Sequence, residues 1–416
     1  MTLLHADREP DLLALAKGSE QLAFAQRAVG FLGEHAVRRS PERFSWGEGH
    51  EGLAIFHETT GEAEQAEVEA AKSWQAIKWA SGFGWLTGPE EYGGHGLDPA
   101  YERLFRALEA AFDVPDWSPI RIGLSTVSPS LVLNGEPEQI RRFAAGIQQG
   151  RVVACQLFSE PEAGSDLAGV RTRAERDGDV WRLTGQKVWT SNAQFADVGL
   201  ALARTEPDAP KHRSLTAFLL PMRIDGVEVR PLRQLTGGAS FSEVFLDDAI
   251  VSDDLRVGDV GEGWRVAVST LAAERQSTGD RSHNLTARAF SMLVALARRR
   301  DLSTQPVHRQ RLADLAVRLS VASYHQQRME AVPIADRRGP ERALDKLLLA
   351  DNLRRIGDAA ALMLGPLLTA DTGEWGTYAW GSWILGATGY RLGGGTDEIL
   401  RTVIGERLLD LPREPQ

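Results

Sequence analysis

The stretch CQLFSEPEAGSDLAGVRTRAERDGDVWRLTGQKVWTS (155–191) decides the fold of this chain. Two polar loops, SEPEAGSD (159–166) and KVWTS (187–191), flank what reads as two strands joined at Asp177-Gly178-Asp179. Val180, Arg182 and Thr184 share one face of the return strand, and an Asp/Gly turn between alternating runs is a hairpin signal. Such a hairpin brings both loops to the same end of one small sheet. There Ser159, Ser165, Thr190 and Ser191 offer hydroxyls, Gly164 permits close backbone approach, and Trp189 presents a broad flat face. This set of groups suits a planar aromatic cofactor with polar edges.

Outward from this stretch the period of the chain changes twice. From Arg151, the runs VVACQLF, VRTRAER, VWRLTGQKVW, VGLALAR, LTAFLLP and VEVRPLR are short and broken by GSD, DGD, EPDAPKH and RIDG, which predicts a small antiparallel barrel or sandwich. No βαβ alternation occurs, so a nucleotide site here is not of the Rossmann type. Before it, helices are expected over 11–39, 61–80, 98–112, 118–133 and 137–148, with Gly150 closing the region and a surface loop over 40–60. Residues 82–96 hold six glycines and Pro89 and read as a tight connection. After Gly263, long apolar-faced helices are expected over 264–300, with a break near 278–280, then 307–328, 342–364 and from Asp397 onward. The expected class is α+β: a helical domain (1–150), a β-domain (151–256) and a C-terminal four-helix-type bundle (257–416).

Composition excludes several functions. The 416 residues are 43% hydrophobic and 25% charged with a net charge of -10, a globular balance without the basic block that nucleic acid requires. Cys155 is the one cysteine, sits in an apolar strand, and reads as a small buried residue rather than a nucleophile. His50, His57 and His95 lack ligand-like spacing, so no metal is expected. The N-terminus lacks a signal-peptide pattern and no apolar run approaches membrane-spanning length, so a cytoplasmic protein without a membrane partner is expected.

The two loops together resemble the acyl-CoA dehydrogenase family, whose members carry SEPxAGSD and K-x-W-x-[ST] around the flavin of FAD. GWLTGPEEYGGHG (84–96), the segment 235–275 and GGGTDEILRTVIGERLLDLP (393–412) are similar to further family elements. The resemblance implies an N-terminal helical, middle β and C-terminal helical layout, FAD as cofactor, and an acyl-CoA thioester dehydrogenated to the trans-2-enoyl-CoA. It also implies an electron-transfer flavoprotein as acceptor and a homodimer or homotetramer, with a heteromer as the alternative. Residue by residue, it places Gln156, Phe158, Ser159, Trp189, Ser191 and, as an alternative contact, Thr190 at the flavin. Thr396 and Glu398 fall near the flavin pyrophosphate and ribityl chain. Ser165 and Arg275 fall on the substrate side.

Most members carry the catalytic Glu immediately before a Gly-Thr pair in the terminal loop. Here that pair is Gly395-Thr396 and the preceding residue is Gly394. In the isovaleryl-CoA and long-chain branches the base comes instead from the first helix after the β-domain, before an Arg, which here is Glu274-Arg275. Helical glutamates are most often solvated or paired with a neighbouring Arg; the absence of a side chain at Gly394 is what lifts Glu274 to candidate base. Gly394 can still donate its backbone N–H to the thioester oxygen. Thr396 has a competing role as helix N-cap. The family's Arg-x-x-Phe-Gly element is missing from ARRRDLSTQPVHRQRLADL (297–315), so Arg298, Arg299 or Arg300 takes its place or the adenine end binds differently. Two other functions fit the same fold: a flavin oxidase or monooxygenase, and a noncatalytic partner subunit of a heteromeric dehydrogenase. Trp375, Trp380 and Trp383 read as a core or interface cluster.

Overall fold

The computed structural model describes residues 11–39, 53–56, 59–332, 339–369 and 377–413. His50, His57, Trp375, the first ten residues and most of the expected 40–60 loop lie outside them. The chain packs as two compact units. One holds residues up to 42, 59–233 and 239–270; the other holds 43–58, 234–238 and 271–416.

The first unit opens with helices α1 (Ser19–His35), α2 (Glu62–Ala80) and α3 (Pro99–Glu109). The expected helix over 11–39 begins only at Ser19, because Gly18 adopts a positive φ of 86° after a short 3-10 turn. Helix α3 starts where its chemistry dictates: the Asp98 carboxylate accepts the Ala100 N–H at 2.8 Å and Pro99 occupies the first turn. Its buried Leu104, Phe105 and Leu108 pack with Phe24, Phe31, Leu32 and Trp74. Each such burial is worth about 1.5–3 kcal/mol. Trp74 Nε1 donates to Glu109 Oε1 at 2.7 Å, and Lys78 pairs with the same carboxylate at 3.3 Å. The glycine-rich connection is as tight as expected: a Cβ on Gly84 would lie 2.6 Å from the Trp79 Cα, and Gly96 N–H donates to Gly88 O at 2.8 Å. Short helical turns α4 (Ser128–Asn134), α5 (Pro137–Gln139) and α6 (Ala145–Gln148) follow, interrupted by wider π-type turns at Gly123–Val127 and Ile140–Ala144.

The sheet of this unit contains β1 (Ala154–Leu157), β2 (Arg173–Asp177), β3 (Val180–Ser191), β4 (Val198–Arg204), β5 (Leu215–Pro221), β6 (Val227–Leu232), β7 (Phe241–Ser252) and β8 (Arg256–Val257). The order is β8-β5-β4-β2-β3-β7-β6, with β1 joined to β4. Most pairings are antiparallel, as expected, but β1 and β2 each run parallel to β4. The hairpin forms: Asp177 pairs with Val180 across Gly178-Asp179, Gly178 having φ 62°. Trp181 and Leu183 point into the core, leaving Val180, Arg182 and Thr184 half-buried on the other face. The twelve-residue strand β7 was absent from the expected set, although Ser242, Val244 and Leu246 alternate inward on it.

The second unit is a helical bundle. Helix α7 (Gly263–Arg299) runs without the expected break, followed by α8 (Pro306–Ala331), α9 (Arg342–Leu364), α10 (Thr377–Gly389) and α11 (Asp397–Arg407). Its core gathers Leu293, Leu296, Leu353, Ile356, Trp380 and Trp383. Trp383 Nε1 donates to Leu353 O at 2.9 Å, so Trp380 and Trp383 are core residues. Helix α10 escaped the sequence reading because its glycines and its apolar character on all sides leave no amphipathic period.

Candidate active site

In the first unit the two polar loops are locked together by a buried ion pair. Lys187, fully buried, donates from Nζ to Glu160 Oε1 at 2.8 Å, to Leu202 O at 2.6 Å and to Phe158 O at 3.3 Å. Glu160 also accepts the backbone N–H groups of Arg171 at 2.5 Å and Thr172 at 2.9 Å. Val188 N–H donates to Ser159 O at 2.9 Å, so backbone and side chain join the same two loops. Burial alone would raise the Glu160 carboxyl; the Lys187 charge and the donated N–H groups outweigh it and hold it below the ordinary carboxylate value. Burial pulls the Lys187 ammonium down, against the Glu160 charge. Neither residue was singled out from sequence. The signal was a loop with three acids, Glu160, Glu162 and Asp166, and a second loop with one lysine, and it acquires meaning only when the hairpin closes.

The pairing of β3 with β7 slips between Lys187 and Thr190. This irregularity takes Trp189 out of the ladder with φ 59° and leaves it 63% exposed, with Phe241 edge-on at 6.2 Å between ring centroids. A non-glycine residue held in the left-handed region is strained, and such strain clusters at ligand-binding sites. Beside it the Thr190 hydroxyl is buried with no hydrogen-bond partner among the described residues, an orphan that a ligand's polar edge would satisfy. Gln156, Ser159 and Ser191 are half-buried and Ser165 is exposed, whereas Phe158 is buried with its carbonyl held by Lys187. An open aromatic plane, an orphaned hydroxyl and half-exposed polar groups fit the isoalloxazine of FAD.

In the second unit the structure brings Glu274 of α7 and Gly394 of the terminal loop together across 120 residues of sequence. A Cβ placed on Gly394 would lie 3.6 Å from Glu274 Oε1, and Gly394 has φ 68°. A longer acidic side chain at 394 would meet the Glu274 carboxylate, and two carboxylates in one space repel. The two sequence positions that the resemblance singles out, 274 and 394, thus meet at one location. Arg275 is half-buried, and burial lowers its guanidinium, with Glu274 working against that and Arg407 adding to it. The Thr396 hydroxyl accepts the Ile399 N–H at 3.3 Å and caps α11, which keeps its own proton available to donate. Glu398 is exposed and 3.9 Å from Arg401. Arg298 and Arg299 end α7 and Arg300 follows it, and the Nε of Arg300 is buried with no partner among the described residues.

Comparison with known proteins adds a family to this geometry. Residues 155–249 match the model of the acyl-CoA dehydrogenase middle domain, and residues 261–409 that of the C-terminal domain. The chain is similar to the acyl-CoA dehydrogenase IpdE1 of Mycobacterium tuberculosis, 40% identical over 353 residues that cover 84% of this chain and 90% of that one. It is also similar to FadE34 of the same organism, 38% identical over 337 residues, 78% of this chain and 44% of the other. Among solved structures, the one described as Tcur3481-Tcur3483 steroid ACAD covers the full length of both chains at a TM-score of 0.77 and 23% identity. The ChsE4-ChsE5 complex from Mycobacterium tuberculosis covers 86% of this chain and all of its own at a TM-score of 0.69 and 23% identity. These structural likenesses are likenesses of fold.

Proposed function

The chain belongs to the acyl-CoA dehydrogenase family of FAD-dependent oxidoreductases, and on that premise we propose that it dehydrogenates an acyl-CoA thioester to the trans-2-enoyl-CoA with Glu274 as the base. The observation that carries this is the approach of Glu274 Oε1 to within 3.6 Å of the Cβ position of Gly394. It supports a single carboxylate supplied from α7 while the terminal loop stays bare. Glu274 removes the α-proton of the thioester, which ends on its carboxylate. The backbone N–H of Gly394 donates to the thioester oxygen as negative charge builds there, a role that needs no side chain. Bound FAD supplies the acceptor for the hydride that leaves the β-carbon. Trp189, Thr190, Ser191, Gln156, Phe158 and Ser159 bind and orient that cofactor, with Thr396 and Glu398 toward its ribityl and pyrophosphate portion. Ser165 and Arg275 serve the substrate. An electron-transfer flavoprotein is the proposed acceptor.

The acyl group proposed is a large one, in keeping with the fold neighbour described as a steroid ACAD. The test is anaerobic flavin reduction, followed by absorbance, with a panel of acyl-CoAs that includes steroid thioesters. Wild type is expected to bleach, and Glu274→Gln to retain FAD and thioester binding while losing bleaching. Equal bleaching in both rejects Glu274. A second reading, in which this chain is one of two unlike subunits, is favoured by neighbours described by two chain names, such as the ChsE4-ChsE5 complex. Copurification with a second homologous chain decides it.

A further inference from the structure

The proposed function assigns roles to Glu274 and Gly394, and the inference drawn here rests on that reading. Between α10 and α11 the loop contains three consecutive glycines, Gly393 to Gly395, of which Gly394 and Gly395 have φ 68° and 93°, and Leu392 is 65% exposed. A glycine-rich, solvent-facing segment loses much conformational freedom when ordered and stays in one shape only if something grips it. Its ends are closed on each other: Arg391 Nε donates to Asp397 Oδ2 at 2.8 Å and Asp397 N–H donates to Arg391 O at 3.2 Å.

The grip on the middle of the loop comes from α9. Lys346 is 4% exposed, and its Nζ donates to Gly395 O at 2.7 Å and lies 3.9 Å from Asp397 Oδ1. An ammonium is rarely buried without a purpose, because removing it from water is costly unless it is paired. Burial lowers this lysine, while the charges of Asp397 and Glu398 oppose that. The lysine thus places a charge-assisted hydrogen bond on the carbonyl of Gly395, the residue after Gly394.

We propose that Lys346 is a positioning residue: by holding the Gly395 carbonyl and pairing with Asp397 it fixes the backbone N–H of Gly394 beside the Glu274 carboxylate. The Arg391–Asp397 closure shapes the loop, and Lys346 moors that shape to the bundle. A displacement of about 1 Å at a reacting centre costs on the order of a hundredfold in rate, so a loosened loop has a kinetic signature. Because the Gly394 N–H is set against charge that builds in the transition state, that loss falls on kcat more than on KM.

Two measurements on wild type, Lys346→Met and Lys346→Arg test this: hydrogen exchange across residues 391–397 by mass spectrometry, and anaerobic flavin reduction over a range of acyl-CoA concentrations up to saturation. In Lys346→Met, exchange in the loop is expected to quicken at least about tenfold, the loss of one charge-assisted bond, with α8 unchanged. The reduction rate is expected to fall about 10–100-fold with little change in KM. Lys346→Arg, which keeps charge and donors, is expected to recover part of both. Unchanged loop exchange in Lys346→Met overturns the proposal, and so does faster exchange with a wild-type reduction rate. If wild-type flavin is reduced by no thioester, the function reading fails by itself, and the exchange result still decides whether Lys346 is the tether.

Discussion

Replacing Lys187 by Met removes the central charge of the clamp between the two polar loops. The ammonium is fully buried and the Glu160 side chain is 6% exposed, so water is not at hand to replace either partner. Breaking a buried pair by deleting one member costs about 3–5 kcal/mol, chiefly because the other charge is left uncompensated. In Lys187→Met the Glu160 carboxylate keeps the Arg171 and Thr172 N–H groups, which places this variant near the lower end, at about 3 kcal/mol. Glu160→Gln is worse, at about 5 kcal/mol: Lys187 loses its counter-charge, and the amide turns a donor toward one of those N–H groups. Since the clamp sets the relative position of SEPEAGSD and KVWTS, FAD affinity is expected to fall in the same order, by about 10–100-fold or more. The assays are urea unfolding followed by tryptophan fluorescence and FAD titration of the apoprotein. The double variant is expected to lose less than the sum of the two, as residues in one network do. Losses below about 1 kcal/mol in both single variants, the range of a surface pair, refute the reasoning.

Gly394→Ala puts a Cβ at φ 68°, a strain of about 1–2 kcal/mol, beside the Glu274 carboxylate; flavin reduction is expected to slow while FAD titration is unchanged. Trp189→Ala removes the exposed aromatic plane and is expected to weaken FAD binding about tenfold, with Trp189→Phe recovering part of it in the same titration. The Glu160 carboxyl is depressed below 4.5 in the folded state, so its stabilisation is present above pH 4.5 and is lost as pH falls through the lower folded value. Acid-unfolding curves of Lys187→Met, which lacks the opposing charge, are expected to be less steep over that window. Burial pushes the Cys155 thiol up to about 12, so a disulfide thiol reagent at pH 8 is expected to label it only in denaturant.

Local pattern was enough for much of this protein. The alternation of VWRLTGQKVW, the Asp-Gly turn and the hydroxyl-rich loops are short-range features, and the hairpin and its two loops formed where they indicated. Helix α9 likewise spans the expected residues, and Thr396 caps α11, because capping and apolar periodicity are written within a few turns of chain. Strand β7 and helix α10 were missed for the opposite reason: one lies in a stretch whose acids and turns mask its alternation, the other is apolar on all sides. Long-range electrostatics belonged to the tertiary structure alone. Glu160 and Lys187, Lys346 and Gly395, Glu274 and Gly394 each lie far apart in sequence, and their worth depends on exclusion of water and on separations of a few ångströms. A lysine in a sequence is by default a solvated charge. Only the packed fold turns Lys187 into a clamp and Lys346 into a mooring.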